Sequence, residues 1–366
     1  MPARPKPPRE NPIIDIWSRK ELLDVYLRGD PVCINVEINQ RCAGGCKYCY
    51  VSPVGAGQAE RSLPVEKFEE ILRLKKAGVR VVYLYGGDQL LHPGFEAMVS
   101  RAIDEGIHVV MPLSGRIPRS DAAWLAAAHA RARSAGVELF AGIHVDTLDQ
   151  AVHDRVNASP VALKERLDGF QALLDAGFPA DHVFGCPTLT RQTAGTMIPL
   201  MDWFYGKGVK HVAPVVFKPL GLSRGDAATW EPALSQVKRV FYHRARVEGK
   251  HVLAVGSCDG KYACQGHVAI TASGDVVPCL FLRDFPAGNI YEEDVGKIIK
   301  RSKKDLLLKR AVKGPCAACR FKVYCIGCRA NAYLYAGDIN ASDPKCFFNK
   351  DAPERCSSKK PGESVD

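Results

Sequence analysis

Six short apolar runs, each suited to a strand, punctuate residues 32–217, and five longer segments with helical spacing separate them. The strand candidates are VCINVEI (32–38), VRVVYLY (79–85), IHVVMPL (107–113), VELFAGIHV (137–145), HVFGCPTL (182–189) and HVAPVVF (211–217). Helical patterns cover 63–78, 93–106, 120–136, 161–177 and 194–208. Ser62 before Pro64, and Ser120 or Asp121 before an alanine-rich run, are start signals. Gly78, Gly106, Gly136 and Gly177 are stop signals. Such alternation predicts right-handed β-α-β units on a parallel sheet. An open doubly wound sheet and a partial barrel both satisfy it. In either, the reactive face lies at the carboxyl ends of the strands.

After about residue 220 the rhythm changes. A helix near 231–247 leads into a cysteine-dense region, 258–346, in which QGHVAITASGDVVPCLF reads as a hairpin turned at Ser273-Gly274-Asp275. Residues 1–12 are basic and proline-rich and read as a disordered leader, and 347–366 as a flexible polar tail.

No stretch approaches about 18 uninterrupted apolar residues, so no membrane-spanning helix is expected. The net charge of +10 would suit an acidic substrate. The basic residues are scattered, without the interleaved aromatic and basic spacing of a nucleic-acid surface, so nucleic acid is not an expected partner. Fourteen cysteines with no export signal point to the cytoplasm and to metal or redox chemistry rather than disulfides. Eleven of them fall into short-spaced groups.

The first group, NQRCAGGCKYCY (39–50), follows the first strand directly and so sits on the reactive face. Structural zinc takes four ligands, usually from two separated pairs. Cys42, Cys46 and Cys49 supply three thiols from one turn and no fourth. A cubane iron–sulfur cluster held by three thiolates leaves one iron open, and an open coordination position is where chemistry occurs.

This C-x3-C-x-aromatic-C segment, with Tyr48 in the aromatic slot, resembles the cluster motif of the radical S-adenosylmethionine superfamily. The resemblance implies a partial (β/α)6 barrel over 13–230, a 4Fe–4S cluster on Cys42, Cys46 and Cys49, and S-adenosylmethionine on the fourth iron. It also implies reductive cleavage to methionine and a 5′-deoxyadenosyl radical, driven by a flavodoxin- or ferredoxin-type electron donor. Gly86, Gly87 and Asp88 match the family's glycine-glycine-acid motif for the methionine amino group, with Asp where Glu is commoner. In GIHVDT (142–147), His144 stands where many relatives have a ribose-contacting serine, and Asp146 keeps the acid. Arg191 is the candidate partner of the methionine carboxylate.

The second array comprises Cys258, Cys264, Cys279, the central run Cys316, Cys319, Cys325 and Cys328, and Cys346. Eight thiols saturate two cubane clusters, while the central four alone would also suit a short zinc site. The array resembles the SPASM domain, which carries auxiliary clusters. That likeness implies one 4Fe–4S cluster on Cys258, Cys264, Cys279 and Cys328, and another on Cys316, Cys319, Cys325 and Cys346. It places the auxiliary domain at 258–346 and a linking helix region at 231–257. CIGC (325–328) has two intervening residues where the family has three.

A radical enzyme abstracting hydrogen from an unactivated C–H bond is therefore expected, with a peptide or small-molecule substrate. Peptide or protein maturation leads. Leu280, where the sulfatase-maturing branch has a basic aspartate, argues against formylglycine formation. The ending CRANAYLYAGDINASDPKC (328–346) resembles tetrapyrrole-modifying members, which makes oxidative decarboxylation of a haem precursor the second reading. Sugar or aminoglycoside dehydrogenation is the third, and a zinc-binding interaction module is the non-enzymatic alternative.

Overall fold

The computed structural model describes residues 18–51, 61–159, 162–257 and 259–356. All six expected strand regions form. They are β1 (Cys33–Glu37), β2 (Val81–Tyr85), β3 (His108–Leu113), β4 (Leu139–Ile143), β5 (Val183–Gly185) with β6 (Thr188–Leu189), and β7 (His211–Val212) with β8 (Val215–Val216). The last two regions are split because Pro187 and Pro214, lacking an N–H, interrupt the ladder. β6 and β8 then pair with each other apart from the main sheet.

The order β1-β2-β3-β4-β5-β7, parallel throughout, decides between the two expected architectures. A doubly wound sheet reverses its strand order at a switch point. Here each right-handed crossover moves one strand further in the same direction, which keeps the helices on one side. The result is the partial barrel.

Strand alternation sorts the core into two layers. Ile34, Val36, Val82, Leu84, Val109, Met111, Leu139 and Ala141 face the helices in one large cluster. Cys33, Val81, Val110, Phe140 and Phe184 point the other way and pack together inside the barrel. Leu22 and Val25, from the helix Lys20–Leu27, join that inner cluster. By the same period, Glu37, Tyr83 and Tyr85 lie on the inner face.

The four stop glycines all adopt positive φ, between 65° and 117°. The start signals fare differently: Pro64 and Pro118 occupy the N-cap positions without side-chain capping bonds, and Ser62 bridges to Asn39 instead. A helix at Gln150–Val156, capped by Asp149, was not expected.

The region 231–257 is more than a link. The helix Leu234–Glu248 puts Val237, Val240 and Phe241 into the main cluster beside Leu200 and Phe204. Its Glu248 accepts from the Tyr205 hydroxyl and the Val212 N–H, both at 2.8 Å, and so ties the helix to the sixth strand. The hairpin β9 (His267–Ile270) and β10 (Asp275–Val277) forms as expected, turning at Gly274, with β11 (Gly288–Asn289) beyond it. β9 pairs parallel with β1, Ile34 opposite Val268, so the C-terminal region extends the barrel sheet itself.

The tail reading also needs correction over 347–356. Phe347 packs on Phe241 and Tyr242, Cys356 is buried, and the Cys356 N–H donates to Glu231 Oε1 at 2.7 Å. Two aromatic residues give the segment enough apolar surface to dock. The leader 1–12 and residues 357–366 lie outside the described residues. Beneath the docked segment, Lys345, 0 % exposed, forms an ion pair with Glu231. Replacing Lys345 by Met strands the buried carboxylate and is expected to cost about 3–5 kcal/mol. Glu231→Leu/Lys345→Met should recover most of that loss; urea denaturation compares the two.

Candidate active site

The loop after β1 carries Cys42, Cys46 and Cys49, all partly accessible and none in a disulfide. The backbone folds around the sulfurs. Gly44 N–H donates to Cys42 Sγ at 3.2 Å, and Cys49 N–H bonds to the Cys46 carbonyl. Cys46 pairs with Asn157 in an isolated bridge, and Lys47 N–H reaches Val156 O at 3.0 Å, which clamps the loop to the end of the helix Gln150–Val156.

Three polar side chains turn toward the Cys46 sulfur, those of Arg166, Asn157 and His144. Arg166 Nη2 donates to it at 3.3 Å and Asn157 Nδ2 at 3.7 Å. Both also donate to Gly44 O, at 3.2 and 2.6 Å. Burial alone would raise the Cys46 thiol, but Arg166 and His144 outweigh it and bring the thiol down to about 7. Cys42 has the opposite balance, with burial pushing it up to about 11. The site thus offers soft sulfur donors, one already disposed to be a thiolate, with N–H groups directed at them.

Arg166 is 1 % exposed, and its Nε has no hydrogen-bond partner among the described residues. It rides on the helix Ala162–Asp175, whose close approach is set by Gly169: a Cβ there would lie 2.2 Å from Gly115 O and 2.5 Å from Ile117 N. Sequence reading treated this arginine as part of an amphipathic helix and missed it. Asn157 was missed with its unexpected helix. The only cue to either lay in tertiary packing.

β2 delivers Gly86, Gly87 and Asp88 against the same loop. Gly87 N–H donates to Asn39 O at 3.0 Å, and Asp88 N–H to Arg41 O at 2.7 Å. A Cβ at Gly87 would sit 2.1 Å from Arg41 O, so no larger residue fits the approach. Asp88 is buried, which raises its carboxyl; Ser114 Oγ donates to its Oδ2 at 2.8 Å.

Beyond β4, His144 Nε2 lies 3.0 Å from Asp146 Oδ1 and 3.2 Å from the Tyr48 hydroxyl, which also donates to Asp146 Oδ2. Burial works against the imidazolium, yet Asp146 and Cys46 raise His144 to about 9. Asp146 is held well below the usual carboxylate range: burial opposes its charge, but His144 and Arg166 prevail. Where the family's serine would stand, this chain has a charged buttress for the loop. The Tyr48 ring packs edge-on to Trp230 at 5.7 Å. Arg191 Nε donates to Glu231 O at 3.4 Å and its N–H to Trp230 O at 2.8 Å.

The second array divides in two. Cys264, Cys279 and Cys328 pack against one cluster with Leu220, Leu282 and Ala330. Around the others, Asp343 N–H donates to Cys316 Sγ at 3.4 Å, Phe321 N–H to Cys319 Sγ at 3.4 Å and Gly327 N–H to Cys325 Sγ at 3.2 Å. Cys346 stays with this second set: the Val255 carbonyl receives the Cys325 thiol, and a Cβ on the next residue, Gly256, would lie 2.9 Å from Cys346 Sγ. Cys328 N–H also donates to Asp343 Oδ2 at 2.9 Å, the residue whose own N–H reaches Cys316. Gly327, with φ of 72°, closes the short CIGC turn. Cys258 lies outside the described residues.

Comparisons with known proteins agree with this anatomy. The radical SAM superfamily model matches residues 36–204, and an iron–sulfur cluster-binding domain model, SPASM, matches 258–320. An AdoMet-dependent heme synthase of Methanosarcina barkeri is 24% identical over 88% of this chain and 98% of its own length. A PqqA peptide cyclase of Rhodopseudomonas palustris is 25% identical over 88% of each chain. Among solved structures, Streptococcus suis SuiB bound to S-adenosylmethionine superposes with a TM-score of 0.65 at 16% identity, covering 93% of this chain and 83% of that one.

Proposed function

Since the chain belongs to the radical S-adenosylmethionine superfamily and carries a SPASM iron–sulfur domain, we propose that its barrel mouth modifies a C–H position of a peptide or protein. The observation that carries the chemical reading is the loop of three thiols with Arg166 and Asn157 directed at Cys46. When bound, the cluster and S-adenosylmethionine supply an electron to the sulfonium and a 5′-deoxyadenosyl radical that takes a hydrogen atom. Everything else falls to the chain.

Cys42, Cys46 and Cys49 would hold the catalytic cluster. Cys264, Cys279 and Cys328, with Cys258, would hold one auxiliary cluster, and Cys316, Cys319, Cys325 and Cys346 the other. Gly86, Gly87 and Asp88 receive the methionine amino group: the glycines let the strand end lie on the loop, and the carboxylate accepts. Arg166 replaces Arg191 as partner of the methionine carboxylate, because its guanidinium is beside the loop, buried, and has an Nε without a partner among the described residues. His144 and Asp146 brace Tyr48 and Cys46. The reductant would be a small flavodoxin- or ferredoxin-type protein.

The peptide class is supported by the PqqA peptide cyclase relatives. The tetrapyrrole reading is favoured by the heme synthase of M. barkeri, which this chain matches over nearly its whole length. No described helix is long and apolar enough to cross a membrane. Anaerobic turnover with candidate peptides and with propionate-bearing porphyrins separates the two. Deoxyadenosine formed together with a peptide lighter by two hydrogens supports the first reading. Loss of carbon dioxide and two hydrogens from the porphyrin, with peptides unchanged, replaces it by the second.

A further inference from the structure

Glu37 ends β1 on the inner face, five residues before Cys42, and is 0 % exposed. A carboxylate so placed requires a partner. One of its oxygens accepts from Ala272 N–H at 3.2 Å, and the other pairs with Arg283 Nη2. Arg283 comes from the C-terminal region, four residues after Cys279. Its guanidinium carbon also stands 5.6 Å from the centroid of Tyr50, the residue directly after Cys49. Two residues earlier than Arg283, Phe281 packs on the same Tyr50 ring at 4.9 Å. One side chain from the auxiliary segment therefore touches the residues that enter and leave the three-cysteine loop.

We propose that Arg283 is a positioning residue that locks the 279–283 segment onto the three-cysteine loop, so that its buried ion pair with Glu37, acting with the Phe281–Tyr50 contact, sets the placement of the auxiliary cluster relative to the substrate radical. The inference rests on the reading that Cys42, Cys46 and Cys49 hold the catalytic cluster and Cys279 an auxiliary one. The physical case is that sheet pairing to β1 through β9 ends with β10 at Val277, and the irregular segment 279–283 beyond it meets the loop through the side chains of Phe281 and Arg283. Glu37 is immovable because β1 lies between β2 and β9. A guanidinium that pairs through one Nη with a fixed carboxylate while it faces the Tyr50 ring makes two contacts from one planar group, which the point charge of a lysine in its place would not reproduce.

The test uses the reconstituted full chain as wild type, Arg283→Met, Arg283→Lys and Glu37→Leu/Arg283→Met. The double variant removes the ion pair without stranding a buried charge, so it stays informative where the single variant folds poorly. Two readouts are followed: hydrogen exchange of peptides covering 37–50 and 272–283, and product formed per deoxyadenosine. In the double variant, exchange in both peptides should accelerate at least tenfold and product per deoxyadenosine should fall at least tenfold. Arg283→Lys should fall between the double variant and wild type. Wild-type exchange and coupling in the double variant would overturn the proposal. Failure of the underlying assignment looks different: S-adenosylmethionine would then leave the electron paramagnetic resonance spectrum of the reduced wild-type protein unchanged.

Discussion

A chain with Cys42, Cys46 and Cys49 all changed to alanine is expected to lose about a third of its iron, from about twelve atoms to about eight per chain, and all reductive cleavage of S-adenosylmethionine. The auxiliary thiols sit on separate elements, on the helix Gly260–Gly266, after β10 and on the turns around 316–346, so their iron should remain. The fold should remain as well, because the three cysteines lie outside both main core layers, which the strand residues build. Iron analysis and a deoxyadenosine assay after anaerobic reconstitution measure both quantities. Persistent cleavage in this variant would remove the loop from the chemistry.

Arg166→Met is expected to weaken S-adenosylmethionine binding by about 10- to 100-fold, the equivalent of one charge-assisted hydrogen bond of about 1.5–3 kcal/mol. Arg191→Met should change it by less than about twofold, since its Nε is directed to the Glu231 carbonyl. The loop itself should survive the first substitution. Asn157 Nδ2 still donates to Gly44 O at 2.6 Å, and methionine fills the aliphatic channel of the arginine. Equilibrium binding to the reconstituted protein distinguishes the two variants, and the reverse ranking would return the carboxylate to Arg191.

The two arginines show where reading along the chain stops working. Arg191 follows a strand, and strand ends carry reactive groups in this architecture. Arg166 sits in the middle of a helix, where a long cation usually faces water. It is buried only because Gly169, one turn later, lets the helix lie against the 115–117 turn. His144 makes the same point in another way. Its position follows from counting along β4 and Asp146 stands only two residues on, but its contact with the Tyr48 hydroxyl depends on residues 96 apart in the chain meeting.

What the sequence alone determined is local and periodic. Apolar runs at a period of two became six parallel strand regions. Stop glycines took positive φ where the helices end, and thiols at spacings of four and three fell within one turn. Each of these follows from backbone geometry over a few residues, and no distant contact is needed to define it. Tertiary structure decided the rest: a partial barrel rather than a doubly wound sheet, the pairing of β9 with β1, and the burial of Arg166 beside Cys46. Those outcomes depend on which distant surfaces bury one another, and that free-energy balance is struck across the whole chain rather than within any window of it.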